Sequence, residues 1–158
     1  SGTVMGTDTT IDLTSSALAD ATYSFSAKAT DPVGNVSGCS SAHVSYTVDT
    51  TAPSTPNSLA LQSPASSPDT DTTPTIRVGG VANGDTVSLY TDSGCSLPTL
   101  KGNATSSGAT VDITVSSAMS DGSYTFYAQS KDAAGNASSC SGVSGFRCVP
   151  GRCRIFSQ

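Results

Sequence analysis

The sequence is short of charge, of aromatic side chains and of basic residues. Only 12% of its 158 residues are charged and 6% aromatic; Trp is missing, there is one His, and seven Lys and Arg face twelve acidic residues. With a net charge of −5 no basic stripe can displace counterions from a phosphate backbone, so nucleic acid is excluded as an expected partner. No apolar run has the length of a bilayer span, and the opening Ser1-Gly-Thr-Val-Met5 has neither a basic n-region nor an apolar h-region. Any export signal is therefore expected outside these residues.

What the chain does contain is Ser and Thr, together roughly a third of it against a far smaller usual share, with 15 Gly and 8 Pro. That mixture suits short strands joined by many turns and suits long helices badly. The residues also repeat. Ser15–Ser40 aligns without a gap to Ser116–Ser141 at an offset of 101, matching Tyr23 to Tyr124, Phe25 to Phe126, Gly34-Asn35 to Gly135-Asn136 and Cys39 to Cys140. One residue of slip upstream sets Ile11-Asp12-Leu13 against Val111-Asp112-Ile113. A period near 100 residues is that of a sandwich-sized domain.

The expected organisation follows from this period. Residues 1–48 are the C-terminal part of one unit, 49–56 (Asp-Thr-Thr-Ala-Pro-Ser-Thr-Pro) a semi-rigid Pro-containing linker, 57–146 a complete unit, and 147–158 a divergent C-terminal tail. Period-2 alternation marks strands at Ile11–Leu13, Tyr23–Ala27, Leu59–Leu61, Thr75–Val78, Thr86–Tyr90, Thr99–Gly102, Val111–Val115 and Tyr124–Ser130. Short strands recurring at this spacing predict an all-β fold of antiparallel sandwiches. At most one helical turn is expected, at Ser15–Ala19 and again at Ser116–Ser120.

The run Asp121-Gly-Ser-Tyr-Thr-Phe-Tyr-Ala-Gln-Ser-Lys-Asp-Ala-Ala-Gly-Asn136 with Cys140 resembles the end of a bacterial immunoglobulin-like repeat of long secreted adhesins, and Asp49-Thr-Thr-Ala-Pro53 resembles the junction between such repeats. Fibronectin type III domains share the architecture. The resemblance implies tandem immunoglobulin-like sandwiches, the first only partly present, in an extracellular or cell-surface stalk that spaces a binding region from the cell. Its partners would be neighbouring repeats. Two alternatives remain at this point: a module binding a glycan or protein, with Tyr90 and Tyr127 exposed on strand faces, and a strand-complemented fibre subunit that self-associates through its incomplete first domain.

Five Cys in such a polar chain suggest an oxidising compartment. In a sandwich the strands before Cys95 and Cys140 lie in the same sheet, which predicts a Cys95–Cys140 disulfide. Moving Cys95 back by the repeat offset puts the partner of Cys39 before Ser1, so Cys39 is expected unpaired or intermolecular. Cys148 and Cys153 form a tail disulfide if the tail is a true terminus; otherwise the tail is foreign to the array. Zinc finds no second ligand pair at suitable spacing.

The repeated Asp31-Pro-Val-Gly34-Asn35 and Asp132-Ala-Ala-Gly135-Asn136 segments read first as hairpin turns, since Gly and Asn tolerate positive φ and Asp accepts backbone N–H groups. The functional alternative is calcium at a domain junction, with Asp31, Asn35 and Asp49 as oxygen ligands. Asn35, Asn103 and Asn136 fit the N-glycosylation pattern, which arises readily by chance in a Ser/Thr-rich chain. His43 reads as a solvent-facing strand residue. No nucleophile elbow, phosphate loop or local carboxylate pair supports catalysis, so an enzyme is not expected.

Overall fold

A computed structural model describes residues 11–67, 69–141, 144–149 and 152–156, with side chains described as far as Ser141. The chain divides into two compact units, Ser1–Thr51 and Ala52–Gln158, at a point inside the Pro-containing run 49–56. The first unit holds a two-stranded antiparallel sheet of β1 (Ala21–Phe25) and β2 (Val44–Val48), pairing Tyr23 with Tyr46 and Phe25 with Val44.

The second unit contributes β3 (Ser58–Ser63), β4 (Thr75–Gly79), β5 (Thr86–Tyr90), β6 (Leu100–Thr105), β7 (Thr110–Thr114), β8 (Tyr124–Lys131), β9 (Ser144–Val149) and β10 (Arg152–Phe156). One sheet has the order β3-β4-β7 and the other β10-β9-β8-β5-β6, every pair antiparallel. The described residues contain no α-helix. A single 3₁₀ turn at Leu97–Thr99 has Pro at its start, where the fixed φ fits and no N–H is needed.

Alternation explains why these strands make two layers. Ile76 and Val78 of β4 and Ile113 of β7 point inward from one sheet; Val87 and Leu89 of β5 and Phe126 and Ala128 of β8 point inward from the other. Together with Leu59, Val81 and Val115 they form one buried cluster, each large side chain contributing about 1.5–3 kcal/mol through removal from water. The intervening residues face out: Arg77 and Asp112 pair across β4 and β7 at 2.8 and 2.9 Å, and the Thr75 and Thr114 hydroxyls meet at 2.7 Å. Gly102 lets the sheets close at one side, since a Cβ there would meet the Thr114 carbonyl oxygen at 2.8 Å, and Ser116 N–H donates to Lys101 O nearby at 2.7 Å.

One local expectation fails: Ile11–Leu13 is not a strand. Its counterpart Val111–Ile113 is held in β7 by pairing with β4, and the described part of the first unit has no strand to play that role. Ser15–Ala19 and Ser116–Ser120 carry no helical turn. The segment set apart as a tail supplies the second half of β9 and all of β10, β9 beginning at Ser144 and continuing the sheet from β8.

Candidate functional site

The most organised polar structure is the turn after β8. Asp132 Oδ1 accepts the N–H groups of Gly135 and Asn136 at 2.7 and 2.9 Å, while Oδ2 accepts Asn136 Nδ2 at 3.0 Å. Gly135 sits at φ 99°, a conformation that strains any side chain. Asp132 is held below the usual carboxylate pKa, first by the Asn136 side-chain amide and then by backbone N–H groups. Past the turn, Ser138 Oγ and Ser141 Oγ accept the N–H groups of Ser130 and Ala128 at 3.0 and 2.8 Å. Before the strand, Tyr124 Oη donates to Ser120 O at 3.0 Å, the tyrosine-corner bond of immunoglobulin-type sandwiches.

The first unit makes the same bonds at the repeat positions. Asp31 Oδ1 accepts Asn35 N–H at 2.8 Å and Oδ2 accepts Asn35 Nδ2 at 2.8 Å; Gly34 sits at φ 96°. Ser37 Oγ and Ser40 Oγ accept Ala29 and Ala27 N–H at 2.9 and 3.0 Å, and Tyr23 Oη donates to Ala19 O at 3.0 Å. The Asp31 carboxyl is likewise lowered, chiefly by the Asn35 side chain.

The units part company at sulfur. Cys95 and Cys140 are joined in a disulfide, closing a loop 45 residues apart in sequence and stabilising by about 4 kcal/mol in the chain-entropy model. Cys95 lies in the turn after β5, in the left-handed region at φ 50°. That turn is organised by Asp92, whose carboxylate accepts from Gly94 N, Ser96 N, Ser96 Oγ and Thr99 Oγ1, the Thr99 hydroxyl being the main cause of its lowered pKa. Cys39, at the position of Cys140, is free and exposed, with Ser26 Oγ at 3.1 Å.

A second difference is an open apolar face. In the first unit a groove of about 920 Å³ is lined by Leu13, Leu18, Phe25, Ala27, Val44 and Tyr46, with Lys28 and His43 also on its wall. Phe25 is 36% exposed where Phe126 is 2% exposed, and Leu13 is 58% exposed where Ile113 is 1% exposed. The groove occupies the place that the β3-β4-β7 layer fills in the second unit.

Other predicted sites resolve differently. The Asp31 carboxylate is occupied by N–H donors, and Asn35 turns its amide nitrogen, not its oxygen, towards it. Asp49 Oδ1 accepts Thr51 N–H at 3.0 Å. Among the described residues no three His, Cys, Asp or Glu side chains are grouped for a metal. Asp31, Asn35 and Asp49, the residues considered for calcium, each take part in the hydrogen bonding of their own turns. Tyr90 is buried and Tyr127, opposite it across β5 and β8, is half-buried, so the pair is no exposed stacking platform. His43 is exposed beside β2. The β9–β10 register sets Cys148 opposite Cys153, whose side chains lie outside the described residues. The tyrosine-corner bonds were not foreseen, although the Tyr-x-Phe spacing in both copies was the signal for them. No helix among the described residues is long and apolar enough to cross a membrane.

Comparison with known proteins agrees with this geometry. The chain is 37% identical over 146 residues to Chitinase A1 of Niallia circulans, an alignment covering 87% of the chain and 18% of the chitinase. It thus spans less than a fifth of that relative, and the likeness lends no support to catalysis. Residues 58–144, more than half of the chain and the whole of the core described above, match the sequence pattern of the bacterial Ig-like domain, a non-catalytic module. The chain therefore belongs to the bacterial Ig-like domain family.

Proposed function

We propose that the chain is a spacer segment of an extracellular or surface-attached bacterial protein, built from tandem Ig-like modules. Residues 1–48 are the later part of one module, 49–56 the linker, 57–146 a complete module and 147–158 its divergent end. The observation that supports this reading is the recurrence, 101 residues apart, of the tyrosine-corner bond, the Asp–Gly–Asn turn and both Ser-to-backbone bonds. A disulfide in a family of bacterial modules favours an oxidising location outside the cytoplasm. The chitinase likeness, confined to a small share of that protein, supports modules of this kind standing between parts that carry out chemistry or binding. The role is mechanical and spatial, as in a stalk of an adhesin or fibre.

Single-molecule stretching tests the mechanical role. Oxidised protein should unfold its second unit with an extension shorter than that of reduced protein by about 160 Å, the length of the 45-residue segment closed by the disulfide. Retention of the intact chain on chitin particles or a glycan array would overturn the spacer reading in favour of a ligand-binding module.

A further inference from the structure

The Pro-containing run is tied down at both ends, by different means. β1 begins at Ala21 opposite Val48, the last residue of β2, so Asp20 stands beside the chain as it leaves the sheet. Tyr23 Oη donates to Ala19 O at 3.0 Å and fixes the peptide that joins Ala19 to Asp20. The Asp20 carboxylate then receives three donors from the departing chain. Its Oδ2 accepts Thr50 N–H at 3.1 Å and the Thr51 hydroxyl at 2.9 Å, and its Oδ1 accepts the Thr50 hydroxyl at 2.7 Å. Asp49 Oδ1 adds the Thr51 N–H at 3.0 Å. Bonds to an ionised acceptor are about twice as strong as neutral ones. The Thr50 hydroxyl is the main cause that holds the Asp20 carboxyl below its ordinary pKa, and so keeps it in that form.

At the far end the chain is held by burial and by its backbone. Pro56 is fully buried, and Asn57 N–H donates to Gly79 O at 3.0 Å. Gly80, at φ 77°, leaves room for the Asn57 side chain, which a Cβ there would meet at 2.5 Å. Between these attachments Ala52, Ser54 and Thr55 are exposed, and none of the four residues Ala52–Thr55 makes a hydrogen bond among the described residues.

We infer, on the spacer reading above, that Asp20 is a latch: it fastens Thr50 and Thr51 to the first unit and so confines the hinge of the spacer to Ala52–Thr55. Four free residues span at most about 14 Å, and Pro53 fixes one of their φ angles. Freeing Thr50 and Thr51 adds about 7 Å of slack. A stalk must bend and still hold its spacing, and a short hinge with defined ends allows both.

NMR relaxation and amide exchange on the whole chain test the latch. In the natural chain Thr50 and Thr51 should be as ordered on the ps–ns timescale as Val48, with mobility rising from Ala52 onwards. Asp20→Ala should extend that mobility back to Thr50 and speed amide exchange there at least about tenfold, the loss of a bond to a charged acceptor. Thr50→Val with Thr51→Val keeps the side-chain shapes and the carboxylate but removes both hydroxyls, and should free the same residues to a smaller degree. Thr50→Ser with Thr51→Ser should leave them latched. Exchange at Tyr23 and Tyr46 reports whether the β1–β2 sheet survives; if Asp20→Ala unravels it, the Val and Ser pairs decide the matter. Thr50 and Thr51 as mobile as Ser54 in the natural chain, or Val and Ser pairs that behave alike, would overturn the latch while leaving the stretching and chitin results untouched.

Discussion

Phe25 and Phe126 occupy the same place in the same local sequence, follow the same tyrosine and precede the same turn, yet one is 36% and the other 2% exposed. Their local hydrogen bonds are alike: the Tyr Oη bond, the Asp carboxylate on backbone N–H groups, the Gly at positive φ, the two Ser caps. The difference lies in what arrives from far away in sequence. Local hydrogen bonds need only neighbours, so both copies make the turn; burial needs a facing sheet, and among the described residues only the second unit has one, built on β4 and β7. The turn is thus a self-contained device, and the core is a contract between distant strands.

Disulfide removal should separate the units most sharply. Cys95→Ala with Cys140→Ala is expected to lower the stability of the second unit by about 4 kcal/mol in urea unfolding. Cys39→Ala should leave the transition where it is, Cys39 being exposed and outside any disulfide, with only an exposed Ser26 hydroxyl beside it. A shift of similar size for Cys39→Ala would mean that the first unit has a hidden structural use for its thiol.

Next in size is the aromatic pair. Phe126→Ala empties a buried position among β4, β7 and β5 and should cost about 3 kcal/mol, the low end for a core Phe because the half-buried Tyr124 and Met119 can relax towards it. Phe25→Ala, on the open groove, should cost a small fraction of that. If the two losses measured by denaturant unfolding were equal, the first unit would have to bury Phe25 in solution.

About 1 kcal/mol of opposite sign is expected at Ser130, whose hydroxyl is buried without a partner among the described residues. Ser130→Ala should stabilise the second unit by that amount, since the first unit already carries Ala29 at the position and keeps the identical bond to its Ser cap. A loss of stability would show that the hydroxyl holds an ordered water.

How much of this was written in the sequence follows the same division between near and far. The alternation of Tyr124, Phe126 and Ala128 specified a strand and its inward face, because strand periodicity is local. The family is legible for the same reason: turn, strand and junction are short words. Ile11–Leu13 misled because its alternation promises a strand that only a distant β4 can hold. Tyr90 misled because its position next to the inward-facing Leu89 predicts an outward face, yet its side chain is buried, and burial depends on contacts that alternation does not encode. The groove had no signal of its own; it becomes visible only when the described residues of the first unit are set beside their buried counterparts.

The smallest effect concerns acid. Asp31 and Asp132 both have pKa values below the ordinary 3.8 because Asn side chains and backbone N–H groups stabilise their charged forms. A carboxyl whose folded value is depressed contributes stability that is fully present above the unfolded value and is lost as pH falls through the folded one. Turn order in both units should therefore hold at pH 5 and above and fade below about pH 4, more gently than the core unfolds. Asp132→Asn should remove that dependence from the second unit alone. Amide exchange at Gly135 and Asn136, followed against Gly34 and Asn35 across the same pH range, distinguishes the cases: the two turns should loosen together in the wild-type chain, because their bonds are local and alike, and only the altered turn should change in the variant. Loosening of the first turn at higher pH than the second would show that the covering sheet, and not the carboxylate alone, holds the turn closed.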